Sequence, residues 1–446
     1  MKKSISFLFA FFLILNNQAQ NVSGNLTEHI GQEIILKGYN GFETINLSKA
    51  IVDHLGNFNL KPEKKYSGIG YLETSDKSTF LFVINEEDII IEGVHLKNNK
   101  SIVVKNSKEN SILNQYIFQN NIREKVLYGW KFLLPYYKEV IVVNGDEKYI
   151  QFIKQEIARL EQQENNFFEN IEESLYVKWY LPIRKYLNNI SYAAKYDSQN
   201  VSQLILDFRE INFNDSSLLN SGLVDDLIES HYWLIENSGE SLDNVYEEMN
   251  SSTAYLIKCL DSNGPLLNDV THFLFNYLEK KSLFKASEFL ALKMLTQNQC
   301  ILNDNLTNQL ESYRKLKVGN VAPDITFENN TKLSDINANI LLVFGASWCP
   351  NCKEDALKLL SYYDAWREKD LEIVYIALDT DKEAFNTAYK NAPWQTYCDF
   401  KGWDSKSAKD YHISGTPTYF LLDKNTKILV RPASLEQVDA WVNYKL

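Results

Sequence analysis

The sequence predicts a multidomain protein with an N-terminal antiparallel β-sandwich, an α-helical middle region and a C-terminal α/β domain. Three observations lead there. Up to about residue 105, short apolar or alternating runs are separated by turn residues. From about 106 to 312 the apolar spacing becomes that of helices. Near residue 341 a strand-like apolar run passes through small residues into a helix that opens on two cysteines. The 446 residues are 45% hydrophobic and 13% aromatic, ample for packed cores and for about two to four domains.

In the first region the runs are Ile34 to Leu36, Ile45 to Leu47, Gly70 to Leu72, Phe80 to Ile84, Ile89 to Ile91 and Ile102 to Val104. Turn signals such as Gly38-Tyr39-Asn40-Gly41, Asp53-His54-Leu55-Gly56-Asn57 and Asn98-Asn99-Lys100 stand between them. His29, His54 and His95 are isolated in sequence and read as ordinary histidines. In the middle region Tyr149, Ile150, Ile153, Ile157 and Leu160 share one helical face. Further helices are expected around 168 to 190, 201 to 211, 222 to 237, 241 to 260, 265 to 280, 284 to 297 and 303 to 315, with Pro135, Pro182 and Pro265 as punctuation. Cys259 and Cys300 read as unpaired thiols or as a structural bridge, which sequence alone does not decide.

Composition bounds the partners. The 58 acidic and 46 basic residues give a net charge of -12, which argues against nucleic acid and anionic membrane surfaces. Residues 1–19 have the layout of a cleavable signal peptide: Lys2 and Lys3, an apolar core from Ile5 to Leu15, and Ala19 as the expected last residue removed. That core is 11 residues long, against about 20 needed to span a bilayer. No later segment is apolar enough to span. The expectation is export to a periplasmic or envelope compartment, where dithiol chemistry is meaningful.

The candidate chemistry sits in Leu341 to Leu360, LLVFGASWCPNCKEDALKLL. The first thiol of Trp348-Cys349-Pro350-Asn351-Cys352 falls where backbone N–H groups at a helix start point outward unpaired. Such a position lowers a thiol from about 8.5 into the range of about 3.5 to 7.5, making Cys349 a nucleophile and a good leaving group. Half of a zinc site or an inert bridge is the other reading of this spacing. Zinc would want two more ligands, yet Cys259, Cys300 and Cys398 are far apart and the six histidines include no close pair. No metal and no cofactor is expected.

The stretch from about Val318 onward resembles the TlpA-like and ResA-like thiol-disulfide oxidoreductases of the thioredoxin-like superfamily. Three pieces carry the resemblance: Val318-Gly319-Asn320-Val321-Ala322-Pro323-Asp324, the Trp-Cys-Pro-Asn-Cys centre, and Ser414-Gly415-Thr416-Pro417-Thr418 before a strand. The pattern changes set boundaries of 20–105 for the β-sandwich and 106–312 for the helical region, and the resemblance implies 316–446 for a thioredoxin-like domain. By resemblance, Cys349 attacks and Cys352, one turn inward, resolves; Pro417 is a cis-proline that brings Thr416 beside the cysteines; Trp348 packs over the site; and Asp355 matches a family Glu tied to redox tuning. Cys349 is expected to be the exposed member of the pair.

Two departures matter. Val343 stands where thioredoxin has a buried Asp, so proton transfer at Cys352 must use water or another carboxylate. Leu357 replaces a kinking proline, so that helix is expected to be straighter. Asp355 and Glu354 also read as solvated first-turn acids, and Cys398 as an inert thiol. The implied function is an envelope reductase of exported proteins, with protein thiols and disulfides as substrates and an unidentified electron-donor protein. A peroxiredoxin-like peroxidase is a second reading; it would want a Pro-x-x-x-Thr/Ser-x-x-Cys loop, and four residues before Ser347 stands Val343 rather than proline. A binding or scaffold protein with a vestigial redox domain is the third.

Overall fold

The structure, a computed structural model, describes residues 20–138, 147–297, 301–327 and 330–446. The expected signal peptide over 1–19 and the pairing of Cys300 lie outside them. The chain divides into two units, residues up to 204 with 213–227, and 205–212 with 228–446.

The first unit begins with eight strands: β1 Val22–Leu26, β2 Glu33–Asn40, β3 Glu43–Ile51, β4 Asn57–Leu60, β5 Gly68–Thr74, β6 Thr79–Ile84, β7 Ile89–Gly93 and β8 Val103–Lys105. They form two four-stranded sheets, in the orders β4-β1-β7-β8 and β3-β2-β5-β6. Ile34, Leu36, Leu72 and Phe82 of one sheet and Val22, Phe58, Leu60 and Ile91 of the other bury into a single core. All six predicted runs fall on strands; β1 and β4 were not foreseen. The expectation of wholly antiparallel pairing is corrected by β1, which runs parallel to β7. Parallel neighbours need a long crossover, and here five strands intervene in sequence. Gly24 permits the approach: a Cβ there would lie 1.8 Å from the Ile91 carbonyl oxygen.

Helices follow: α1 Lys108–Lys138, α2 Glu147–Glu169, α3 Tyr176–Tyr196, α4 Val201–Phe208 and α5 Ser216–Leu219. Buried Glu109 of α1 accepts the Tyr176 and Val177 N–H groups at 2.8 and 3.0 Å, capping α3 with a carboxylate where free donors cluster. Buried Glu164 of α2 pairs with Arg123 of α1 and Lys185 of α3, both at 2.7 Å. Two of the expected punctuation marks fail. Pro135 lies inside α1 and Pro182 inside α3, both exposed; a helical proline is disfavoured, not forbidden.

The second unit carries helices α6 Val224–Glu236, α7 Leu242–Leu260, α8 Gly264–Lys280, α9 Phe284–Gln297 and α10 Asp304–Arg314, α6 starting just ahead of it. Pro265 does punctuate, at the first turn of α8 behind the Asn263 cap, where its missing N–H has no intrahelical use. Then come β9 Asn339–Gly345, α11 Pro350–Glu368, β10 Leu371–Ala377, α12 Lys382–Tyr389, β11 Gln395–Tyr397, α13 Lys406–Asp410, β12 Thr418–Leu422, β13 Ile428–Val430 and α14 Leu435–Lys445. Their sheet has the order β11-β10-β9-β12-β13, with β9, β10 and β11 mutually parallel and β12 antiparallel to β9.

Central strand β9 is buried throughout, as a strand covered on both faces must be. Leu341 and Val343 join Leu359 and Trp366 of α11 and Val438 of α14 on one face. Leu342 and Phe344 join Ala322, Leu333, Ala408 and Tyr411 on the other. α11 runs unbroken for 19 residues, with Leu357 exposed on it. Among the described residues, no helix is long and apolar enough to cross a membrane, and no cluster of His, Cys, Asp and Glu could hold a metal ion. His29 and His95, isolated in sequence, meet with ring centroids 4.3 Å apart.

Candidate active site

The site is built where β9 ends and α11 begins. Gly345 is required there: a Cβ would fall 1.9 Å from the hydroxyl of fully buried Tyr375 on β10. Burial pushes that phenol up to about 12. Beyond Gly345 the chain turns and is tied to the loop after β10. The Ser347 amide donates to both Asp379 carboxylate oxygens at 3.2 and 3.1 Å, and its hydroxyl donates to Oδ1. Asp379 is buried, so its charge is met by these donors rather than by water.

Cys349 follows as the N-cap of α11, in extended backbone, with Pro350 at the first helical position. The Cys352 amide donates to Cys349 Sγ at 3.1 Å. The two cysteines form a disulfide, their Cα atoms 5.3 Å apart. Just before β12, whose first residue pairs with Phe344 near the end of β9, the cis Thr416–Pro417 peptide closes over them, and the Thr416 carbonyl oxygen lies 3.4 Å from Cys349 Sγ. The expectation of an exposed Cys349 is therefore corrected for this oxidised form. Its exposure is 4%, against 3% for Cys352, because its sulfur is bonded to that of Cys352 and the Thr416 loop covers it.

Trp348 does not lie wholly over the pair. It is 52% exposed, donates from Nε1 to the Leu378 carbonyl at 3.4 Å, and faces Trp403, 45% exposed, at a centroid distance of 6.0 Å. Cys349, Cys352, Trp348, Thr416 and Pro417 thus converge. Asp355 is engaged elsewhere: it accepts the Tyr419 hydroxyl, and Lys358 Nζ lies 3.7 Å away. Burial first, and then this carboxylate, hold the Tyr419 phenol far above its ordinary value. Cys352 and Ser347 open together onto a cavity of about 330 Å³ beside Tyr389 and Trp394.

Sequence reasoning missed Asp379, Ser347 and Trp403. A signal for Asp379 exists in Asp379-Thr380-Asp381, two acids ahead of one helix start. Asp381 alone caps α12, accepting the Glu383 and Ala384 amides, which leaves Asp379 free for another task. Cys398 is half-buried, its Sγ 3.4 Å from the Asp379 carbonyl oxygen, and burial pushes its thiol up.

Residues 337–428 match a family described as thioredoxin-like. Over 102 residues the chain is 28% identical to a protein named probable nucleoredoxin 3 from Oryza sativa, covering 22% of this chain and 22% of that protein. It is 32% identical over 110 residues to sporulation thiol-disulfide oxidoreductase A of Bacillus subtilis, covering 23% of this chain and 64% of the relative. A solved thiol-disulfide oxidoreductase from Bacteroides fragilis, 32% identical, aligns with 29% of this chain and 100% of its own, with a TM-score of 0.26. The chain spans about a fifth of the length of that rice nucleoredoxin.

Proposed function

We propose that this chain, whose C-terminal part is a thioredoxin-like domain, acts as a thiol-disulfide oxidoreductase through Cys349 and Cys352. One arrangement carries the reading: Cys349 Sγ at a helix start, receiving the Cys352 amide and lying 3.4 Å from the Thr416 carbonyl. In the reduced protein that amide, at the start of the helix, would stabilise a Cys349 thiolate.

The exchange runs in two displacements. The Cys349 thiolate attacks one sulfur of a substrate disulfide; a new S–S bond forms, the old one breaks, and the second substrate sulfur leaves as thiolate. Cys352, deprotonated, then attacks Cys349 Sγ, expelling the first substrate sulfur and closing Cys349–Cys352. The substrate has gained two electrons and two protons, and a dithiol donor protein restores the pair. Ser347 borders the cavity that reaches Cys352 and its hydroxyl donates to Asp379, which supports the two, with water, as the route for the Cys352 proton in place of a carboxylate at Val343. Thr416 and Pro417 position the substrate backbone, and Trp348 shapes the docking surface. Asp355, bound by Tyr419, acts on the pair only through α11.

The direction is reduction of exported proteins in the cell envelope, a reading supported by the signal-peptide layout of residues 1–19. The two N-terminal sheets, with one shared core, support a β-sandwich module over 20–105, ahead of a helical region over 106–312 and the redox domain over 316–446. Insulin reduction by the full chain, with dithiothreitol as reductant, tests the activity. It is expected to fall to background in Cys349→Ser, and an unchanged rate in that variant would remove the assignment.

A further inference from the structure

Beside the redox loop lies a cleft of about 390 Å³ with two dissimilar walls. One wall is thioredoxin-like: Trp403, His412 and Ser414, the last opening the Ser414-Gly415-Thr416-Pro417 segment that covers Cys349. The other is helical: Phe275 and Asn276 of α8 and Gln309 of α10. Gln309 Nε2 donates to Asn276 Oδ1 at 3.2 Å, so the two helices present their amides together.

The helical wall is fixed in place. Glu279, one turn beyond Phe275, also faces the cleft and pairs with Arg431 at 2.9 Å, both side chains 5% exposed. Arg431, just after β13, donates as well to the Tyr313 hydroxyl of α10 at 2.5 Å. Its guanidinium lies over Phe284 and over Phe420 of β12, 4.0 and 5.0 Å from the ring centroids. One buried cation therefore holds α8, α9 and α10 to the sheet that carries the cis-proline loop. Such a pin gives the wall the rigidity that a recognition surface needs.

We infer that α8 and α10 form a substrate clamp, and that this cleft takes the polypeptide segment flanking the reactive cysteine of a partner protein. The inference rests on the oxidoreductase reading above and adds what that reading leaves open, a role for the helices. Three features select an extended polypeptide. Ser414, which lines the cleft, stands two residues before Thr416, against whose backbone a substrate strand would lie. Side-chain amides on the helical wall can donate to and accept from a peptide backbone. The half-exposed indoles of Trp348 and Trp403, 6.0 Å apart, offer an apolar platform next to the attacking sulfur. A small disulfide would engage the sulfur alone and leave the cleft empty.

The test compares insulin with dithiobis(nitrobenzoate) as substrates of the full chain, in Asn276→Trp and separately in Gln309→Trp. Asn276 is exposed, so its indole would enter the cleft rather than a core. The ratio of insulin to small-disulfide kcat/KM is expected to fall about tenfold in each variant, mainly through KM. An unchanged ratio in both variants overturns the clamp, whether both rates stay the same or fall together. If the unaltered protein turns over dithiobis(nitrobenzoate) but not insulin, the clamp is overturned while the redox chemistry stands. If it turns over neither, the oxidoreductase reading fails and takes the clamp with it.

Discussion

Replacing Arg431 with Met would test how the helices are held to the redox sheet. The substitution keeps much of the volume stacked on Phe284, Tyr313 and Phe420, at 4.0, 4.9 and 5.0 Å, but removes the charge and the Tyr313 hydrogen bond. Glu279 is left 5% exposed without its cation, with the neutral Ser287 hydroxyl at 2.5 Å. Breaking one side of a buried pair costs about 3 to 5 kcal/mol, whereas an exposed pair is worth about 0 to 1. The burial places Arg431→Met in the first class. Removing both charges, as in Arg431→Met with Glu279→Leu, leaves no stranded ion, so the double variant should lose about 2 kcal/mol less than the sum of the singles. Urea unfolding followed by circular dichroism measures all three. A loss below about 1 kcal/mol for Arg431→Met, or strict additivity in the double, would refute the reasoning.

Two further outcomes follow from the site. Gly345→Ala would drive its new methyl to 1.9 Å from the Tyr375 hydroxyl, and should lower stability by about 1 to 3 kcal/mol in the same urea assay; no loss would mean that the end of β9 can shift freely. Because burial raises the Cys398 thiol, its thiolate is scarcer at any given pH than that of a free cysteine. Alkylation of Cys398 in the native protein, read by peptide mass, should therefore reach half its maximal rate above the ordinary value of about 8.5; half-rate below that value would mean that the thiol is not held neutral.

What was legible in the sequence was local. The strand, the cysteine pair and its helix occupy thirty consecutive residues, 339–368, and the order of hydrophobic and small residues there admits few other structures. The runs that became β2, β3 and β5 to β8 were legible for the same reason, since alternation is written along one segment. β1 was not, because Ser23, Gly24 and Asn25 break its apolar pattern, and its burial comes from the neighbours β4 and β7. Its parallel pairing depends on a partner more than sixty residues away. The same holds for the parts of the site that were missed. Ser347 meets Asp379 across 32 positions and Arg431 meets Glu279 across 152, so neither pairing leaves a spacing to read. Pro135 and Pro182 misled because a helical proline carries a finite cost that a long helix can bear.

The account depends on Cys349 being the sulfur that joins the substrate and Cys352 the one that releases it. Trapping tests this directly: Cys352→Ser, reduced and then mixed with an oxidised polypeptide such as insulin, is digested and the cross-linked peptide is identified by mass. The account predicts a stable mixed disulfide at Cys349, formed at a rate that Cys349→Ser lacks entirely. A cross-link borne by Cys398 or Cys259 instead, or none at all, would contradict it.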